Sequence, residues 1–129
     1  MATPLIAQNT TDTFSPDGLI AGACIETTEA LITGGVAYAR GDLLVVSASN
    51  VVSLATAGTL ANARYIMPFN LSIAESTAHA ATGKQLGFYN DGEFDQDFVK
   101  LAGVALTAPQ IVAAKPVLTA VGVQLRKVV

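Results

Sequence analysis

Few residues in this chain are able to hold metals, move protons or attack a substrate, and their spacing narrows the options further. Glu75 and His79 stand four apart, which on a helix places a carboxylate and an imidazole on one face. Zinc sites draw three or four ligands from His, Cys and carboxylates. His79 is the only histidine, and the only cysteine, Cys24, is remote in sequence, so His79 reads as an exposed loop histidine. Asp91, Glu93, Asp95 and Asp97 form an alternating acidic run with a calcium flavour. The run lacks the central glycine and closing glutamate of an EF-hand loop at the required spacing. A solvated strand face explains it better, and such a face is not the cleft that paired glycosidase carboxylates need.

Other motifs are equally thin. Gly34-Gly35 and Gly83-Lys84 match neither a P-loop nor a dinucleotide fingerprint. No serine sits in a nucleophile elbow, and the one histidine has no visible acid partner. Arg40-Gly41-Asp42 spells the tripeptide some integrins read, but a three-residue match arises often by chance. Gly41 is better explained as a bend feeding the apolar run 43–46. The expectation is therefore no catalytic residue, no metal and no cofactor, and a binding or structural role in place of an enzymatic one.

Composition narrows the role. The chain has 129 residues, one domain's worth, and a net charge of −3. It is 51% hydrophobic and 13% charged, the latter about half the usual share. A small domain has much surface to cover, so so few charges point to surface buried in an oligomer or larger assembly. No basic cluster exists beyond Arg126-Lys127, which excludes nucleic-acid binding by counterion release. A lone cysteine excludes an internal disulfide, and Cys24 reads as a small buried apolar residue. Residues 1–9 lack the basic start and long apolar middle of a signal peptide. The apolar stretch 101–123 is interrupted by Pro109, Gln110, Lys115 and Pro116 and is not a membrane span.

The elements that position these residues centre on 86–99. Residues 86–89 read as a strand, and Asn90-Asp91-Gly92 reads as a hairpin turn. Beyond it, Phe94 and Phe98 point to a buried face while Glu93, Asp95 and Asp97 point to water. Phe88, Tyr89, Gly92, Phe94 and Phe98 thus define a structural hairpin. Residues 1–18 carry Thr, Asn, Asp and two prolines and read on composition as a tail, with Leu5, Ile6 and Phe14 as anchors should it order on a partner. The folded part opens at Leu19. A strand is expected within 25–32, a turn at Gly34-Gly35, a short extended piece at 36–39 and a hairpin of the form LLVV-turn-VVSL over 43–54. A short strand within 64–69 follows, with Leu71 and Ile73 as its continuation, and 75–83 reads as a polar loop. Thr107 caps a helix with Pro109 in its first turn, and Pro116 splits that helix in two or kinks it at Lys115. Residues 123–128 form a last strand with Val123 and Leu125 on one face. The whole is a mainly β domain, residues 19–129, with one short or kinked C-terminal helical segment.

Several of these segments, in order, resemble one family. They are Leu19-Ile20-Ala21-Gly22, Thr27-Thr28, Arg40-Gly41-Asp42-Leu43-Leu44, Phe88-Tyr89-Asn90-Asp91-Gly92-Glu93-Phe94-Asp95, Val117-Leu118 and Gly122-Val123-Gln124-Leu125-Arg126. The chain is similar in this respect to the head decoration proteins of tailed bacteriophages, the family of phage lambda's protein D, over residues 16–128. Their order and spacing, with the chain length, carry the likeness. Tyr65-Ile66-Met67 and Pro116 depart from the pattern.

The resemblance implies a compact domain of β-clip type with an extended N-terminal arm, residues 1–18. It implies a homotrimer on the outer surface of the expanded head, made in the host bacterial cytoplasm and bound to the major capsid protein at three-fold positions. No catalysis, nucleic acid or membrane is implied. Leu5, Ile6 and Phe14 become capsid-binding arm residues. The rival reading is a virion-surface adhesion or carbohydrate-binding β module using aromatics such as Tyr38 or Tyr89; a small hydrolase dependent on His79 is a third.

Overall fold

The computed structural model describes residues 18–22 and 25–127; Leu5, Ile6, Phe14 and Cys24 lie outside the described residues. The fold is mainly β. Six strands form the main sheet: β1 (Glu26–Ile32), β2 (Leu43–Val46), β3 (Val51–Leu54), β4 (Tyr65–Ile66), β5 (Leu86–Asp95) and β8 (Val123–Arg126). Their order is β1-β3-β2-β4-β5-β8, and β1 pairs again with β5, so the first five strands close on themselves. Closure leaves few unpaired strand edges, which suits so small a sheet. A two-stranded ladder, β6 (Lys100–Leu101) with β7 (Val104–Ala105), stands apart.

Local chemistry explains several elements directly. The β2–β3 hairpin forms where expected, with Leu44 opposite Leu54 and Val46 opposite Val52. Its turn puts Asn50 at φ 62, a left-handed position that Asn tolerates. The Ser47 hydroxyl accepts the Ser49 and Val51 N–H groups at 3.2 and 3.3 Å. In β8, Val123 and Leu125 are buried while Gln124 and Arg126 are exposed, as period two demands.

The expected hairpin turn at Asn90-Asp91-Gly92 does not form. Residues on both sides belong to one ten-residue strand, β5. Its first half runs antiparallel to β1 and its second half parallel to β8. The turn-like residues serve a bulge: Thr27 faces Tyr89 and Glu26 faces Asp91, leaving Asn90 extra. Gly92, at φ +130, lies against Ile25, whose side chain fills the space a Cβ would need. Phe94 is buried as expected and Phe88 is buried too, but Phe98, expected on the same buried face, lies beyond the strand and is exposed. Nor do the acids share one solvated face. Asp95 is buried with Oδ1 accepting the Asp97 N–H at 3.0 Å, Glu93 pairs with Arg126 at 2.6 Å, and Asp97 pairs with Lys127 at 3.0 Å.

The stretch read as a polar loop is a helix, α1 (Ile73–Thr82). A capping box closes its start: Ser72 Oγ accepts the Glu75 N–H at 3.1 Å, and Glu75 Oε1 accepts the Ser72 N–H at 2.8 Å. Gly83 ends it in the left-handed conformation. Ile73 therefore opens a helix and does not extend β4, while Leu71 makes a lone bridge to Tyr38. The helix buries only Ser76, which donates to the Val36 carbonyl at 2.6 Å and accepts the Val36 N–H at 3.2 Å. Among the described residues there are thus two α-helices where one helical segment was expected.

The second, α2 (Ala108–Thr119), starts at a Thr107–Gln110 capping box with Pro109 in its first turn. It runs unbroken through Pro116, so of the two expected outcomes, two short helices or one helix kinked at Lys115, the split does not occur. Pro116 lacks the N–H that would reach the Val112 carbonyl. Val112 is 73% exposed, and the helix packs inward instead through Ala114 and Leu118.

Two buried clusters fill the interior. One joins Leu19, Leu43, Ile66, Phe94 and Val99 to Leu118, Val123 and Leu125. The other joins Ala30, Ile32, Tyr38, Leu44, Val52, Met67 and Phe88. Leu43 and Leu44 are adjacent on β2 and point to opposite sides, one into each cluster. Among the described residues no helix is long and apolar enough to cross a membrane.

Candidate interaction surface

The loop at 38–42 organises one end of the molecule. Asp42 is its centre and is only 1% exposed. Its Oδ2 accepts the Ala39 N–H at 2.9 Å, and its Oδ1 accepts the Gly103 N–H at 2.9 Å, 61 residues away in the chain. A carboxylate taken out of water needs such charge-assisted donors. Both oxygens point inward, so Arg40-Gly41-Asp42 offers no carboxylate to an outside receptor. Gly41 is the expected bend, at φ +97. A Cβ there would stand 2.5 Å from the Phe98 carbonyl oxygen. Its N–H donates to the Met67 carbonyl at 2.9 Å, and its own carbonyl accepts the Lys100 N–H at 2.8 Å.

Arg40 ties the same loop to β5. Its guanidinium donates to the Pro68 carbonyl and, at 3.2 Å, to the Tyr89 hydroxyl, and lies 5.7 Å from the Tyr89 ring centre. Tyr89 in turn tilts against Phe94, ring centres 5.4 Å apart.

Four exposed large apolar side chains lie on segments tied to this buried knot directly or through a neighbour in the chain. Phe98 (42% exposed) follows β5 and has its carbonyl against Gly41; Val104 (68% exposed) sits on β7 beside the Gly103 amide that Asp42 holds. Phe69 follows Pro68, which Arg40 grips, and Ile73 starts α1 two residues after Leu71 pairs with Tyr38. Gly18, the first described residue, has its Cβ position 3.4 Å from the Phe98 ring.

The aromatics of the glycan reading are placed differently from that reading's needs. Tyr38 is buried, and its hydroxyl donates to the Thr33 carbonyl at 2.7 Å. Burial pushes its phenol above the ordinary tyrosine range. Tyr89 is half-buried beneath Arg40. Neither offers an open ring face to a sugar.

Glu75 and His79 do share a helix face, one turn apart, on α1 and not in a loop. The Ser72 backbone N–H and then its hydroxyl hold the Glu75 carboxyl below the usual range, with a small pull from His79. Among the described residues no three His, Cys, Asp or Glu side chains gather to hold a metal.

Of the residues singled out in sequence, the structure brings Tyr89, Phe94 and Phe98 near the Arg40–Asp42 loop. It buries Phe88 on the other side of β5, in the second cluster. Sequence reasoning missed Asp42 as an organiser and Val104 and Phe69 as surface residues. The one available signal was an acid placed between a bend glycine and an apolar strand. No protein-family model and no curated protein matches this chain.

Proposed function

We propose that this protein is a bacteriophage capsid decoration protein. It seats as a homotrimer on the outside of the expanded head, at three-fold positions, and reinforces the shell against packaged DNA. The observation that carries this reading is the apolar end around Asp42. Exposed Phe98 and Val104 stand on segments held directly by the Gly41–Asp42 knot, exposed Phe69 follows the Pro68 that Arg40 grips, and Gly18, the first described residue, lies against the Phe98 ring. Such a surface suits attachment to a protein partner. The ordered segments shared with head decoration proteins supply the identity of that partner, the major capsid protein, and the β-clip description of the fold.

The physics of attachment fits. A closed three-fold ring matches a three-fold site, so three arms engage together. Once one arm is bound, the others act at high effective concentration, and avidity exceeds a single arm's affinity by about 100-fold or more. Strand addition uses backbone hydrogen bonds, so a low-complexity arm suffices, with Leu5, Ile6 and Phe14 as pocket contacts.

The test is deletion of residues 1–15. The truncated protein is expected to keep its fold by circular dichroism and to stop co-sedimenting with expanded capsids. Particle imaging of decorated capsids should then place the full-length protein at three-fold positions. Undiminished co-sedimentation of the truncated form would remove the arm from the mechanism.

A further inference from the structure

The opposite end of β2 carries a groove of about 470 Å³. Its walls are mixed: Val45 and Val46 of β2, Val117 of α2 and Val121 just beyond it are apolar, while Ser47, Ser53, Thr59 and Asn62 are polar. Arg64 is the one charged residue lining it. The Arg64 side chain is exposed and has no ion pair or hydrogen bond among the described residues. Val112, at 73% exposure, lies further along the same helix.

A second surface meets this groove along one edge of the molecule. Val121 lines the groove, while at the next residue, Gly122, a Cβ would stand 2.8 Å from Asp91 Oδ2. Asp91 faces Glu26 directly across the β1–β5 ladder. Both acids are exposed, and neither has an ion pair among the described residues. Like charges placed opposite one another on adjacent strands are unfavourable unless a cation joins them. An unpartnered cation lining the groove and two unpartnered acids thus flank one turn, residues 120–122. That is the layout of a wedge with complementary flanks, and three such wedges close a ring by heterologous contacts.

We propose that the groove receives a second copy of this chain. Arg64 of one protomer faces Glu26 and Asp91 of the next, and the turn at 120–122 lies nearest the three-fold axis. The assignment rests on the trimeric reading above and adds which surfaces make the trimer. It leaves the apolar Asp42 end free for the capsid.

The experiment measures mass in solution by analytical ultracentrifugation, with circular dichroism as the check on folding. The wild-type protein is expected to sediment as a trimer. Arg64→Glu should raise the concentration for half-assembly by at least about tenfold. Combining Arg64→Glu with Glu26→Lys and Asp91→Lys should restore the trimer, because the charges are exchanged and not removed. Val121→Arg, which crowds the groove without touching the acids, should also dissociate it. A monomeric wild type overturns the proposal, as does a folded Arg64→Glu or Val121→Arg protein that assembles normally. A folded charge-exchanged protein that stays monomeric overturns it too. Co-sedimentation with expanded capsids is read separately. A trimer assembled through these residues that ignores capsids would sink the decoration reading and keep the interface; a capsid-binding monomer would do the reverse.

Discussion

Replacing Asp42 with alanine probes the element on which the interaction surface depends. The side chain is 1% exposed, and each of its carboxylate oxygens accepts one backbone N–H, from Ala39 and Gly103, at 2.9 Å. Hydrogen bonds to a charged group contribute about 1.5–3 kcal/mol each. Two of them give about 3–6 kcal/mol, and relief from burying a charge offsets part of that. The expected net loss is about 2–4 kcal/mol, a large share of the 5–15 kcal/mol typical of a domain. With a urea m-value of about 1.5 kcal/mol/M, the unfolding midpoint should fall by about 1.3–2.7 M. Asp42→Asn keeps one acceptor and turns an NH₂ toward the other donor, so it should lie between wild type and alanine. Native-state hydrogen exchange locates the effect: the Gly103 and Ala39 amides should exchange faster before amides of the β2–β3 hairpin do. A midpoint shift below about 0.5 M, or unchanged protection at Gly103, would refute the idea that Asp42 holds the β6–β7 ladder and with it Val104.

Three further substitutions check neighbouring arguments. Gly41→Ala adds a Cβ 2.5 Å from the Phe98 carbonyl at φ +97 and should cost about 2 kcal/mol or more in urea unfolding, with capsid binding weakened if Phe98 shifts. Ala102, at φ 52 in the β6–β7 turn, sits where alanine is strained; Ala102→Gly should raise the melting temperature slightly, by up to about 1 kcal/mol of stability. Glu75 should titrate below the ordinary glutamate range in the folded protein when followed by NMR, and Ser72→Ala should bring it back toward that range. Because the folded pKa is depressed, the contribution of this cap is present above the ordinary glutamate pKa. It disappears as pH falls through the lower folded value.

The sequence spoke most clearly where a structure is settled within a few residues. The Ser47 and Asn50 turn, the Thr107–Gln110 capping box and the alternation of Val123 to Arg126 all involve partners near in the chain. The α1 helix was legible in the same local way, through Ser72, Glu75 and Gly83, but it has no apolar stripe and periodicity passes it by. Residues 90–92 were ambiguous in principle, because Asn, Asp and Gly suit a hairpin turn and a bulge equally. Strand partners decide between them. β1 lies along one edge of β5, and Ile25 fills the space at Gly92, so the chain passes straight on.

Amino-acid order alone determined that this would be a mainly β domain poor in charge and in catalytic side chains, because composition, alternation and turn chemistry need no partner to act. Tertiary structure alone decided what that domain presents to the outside. A donor 61 residues away turned Asp42 inward, and long-range packing left Phe98 and Val104 at the surface and set Arg64 at the side of a groove. Burial and charge pairing are properties of neighbours in space, and the closing of β1 onto β5 is what makes those neighbours.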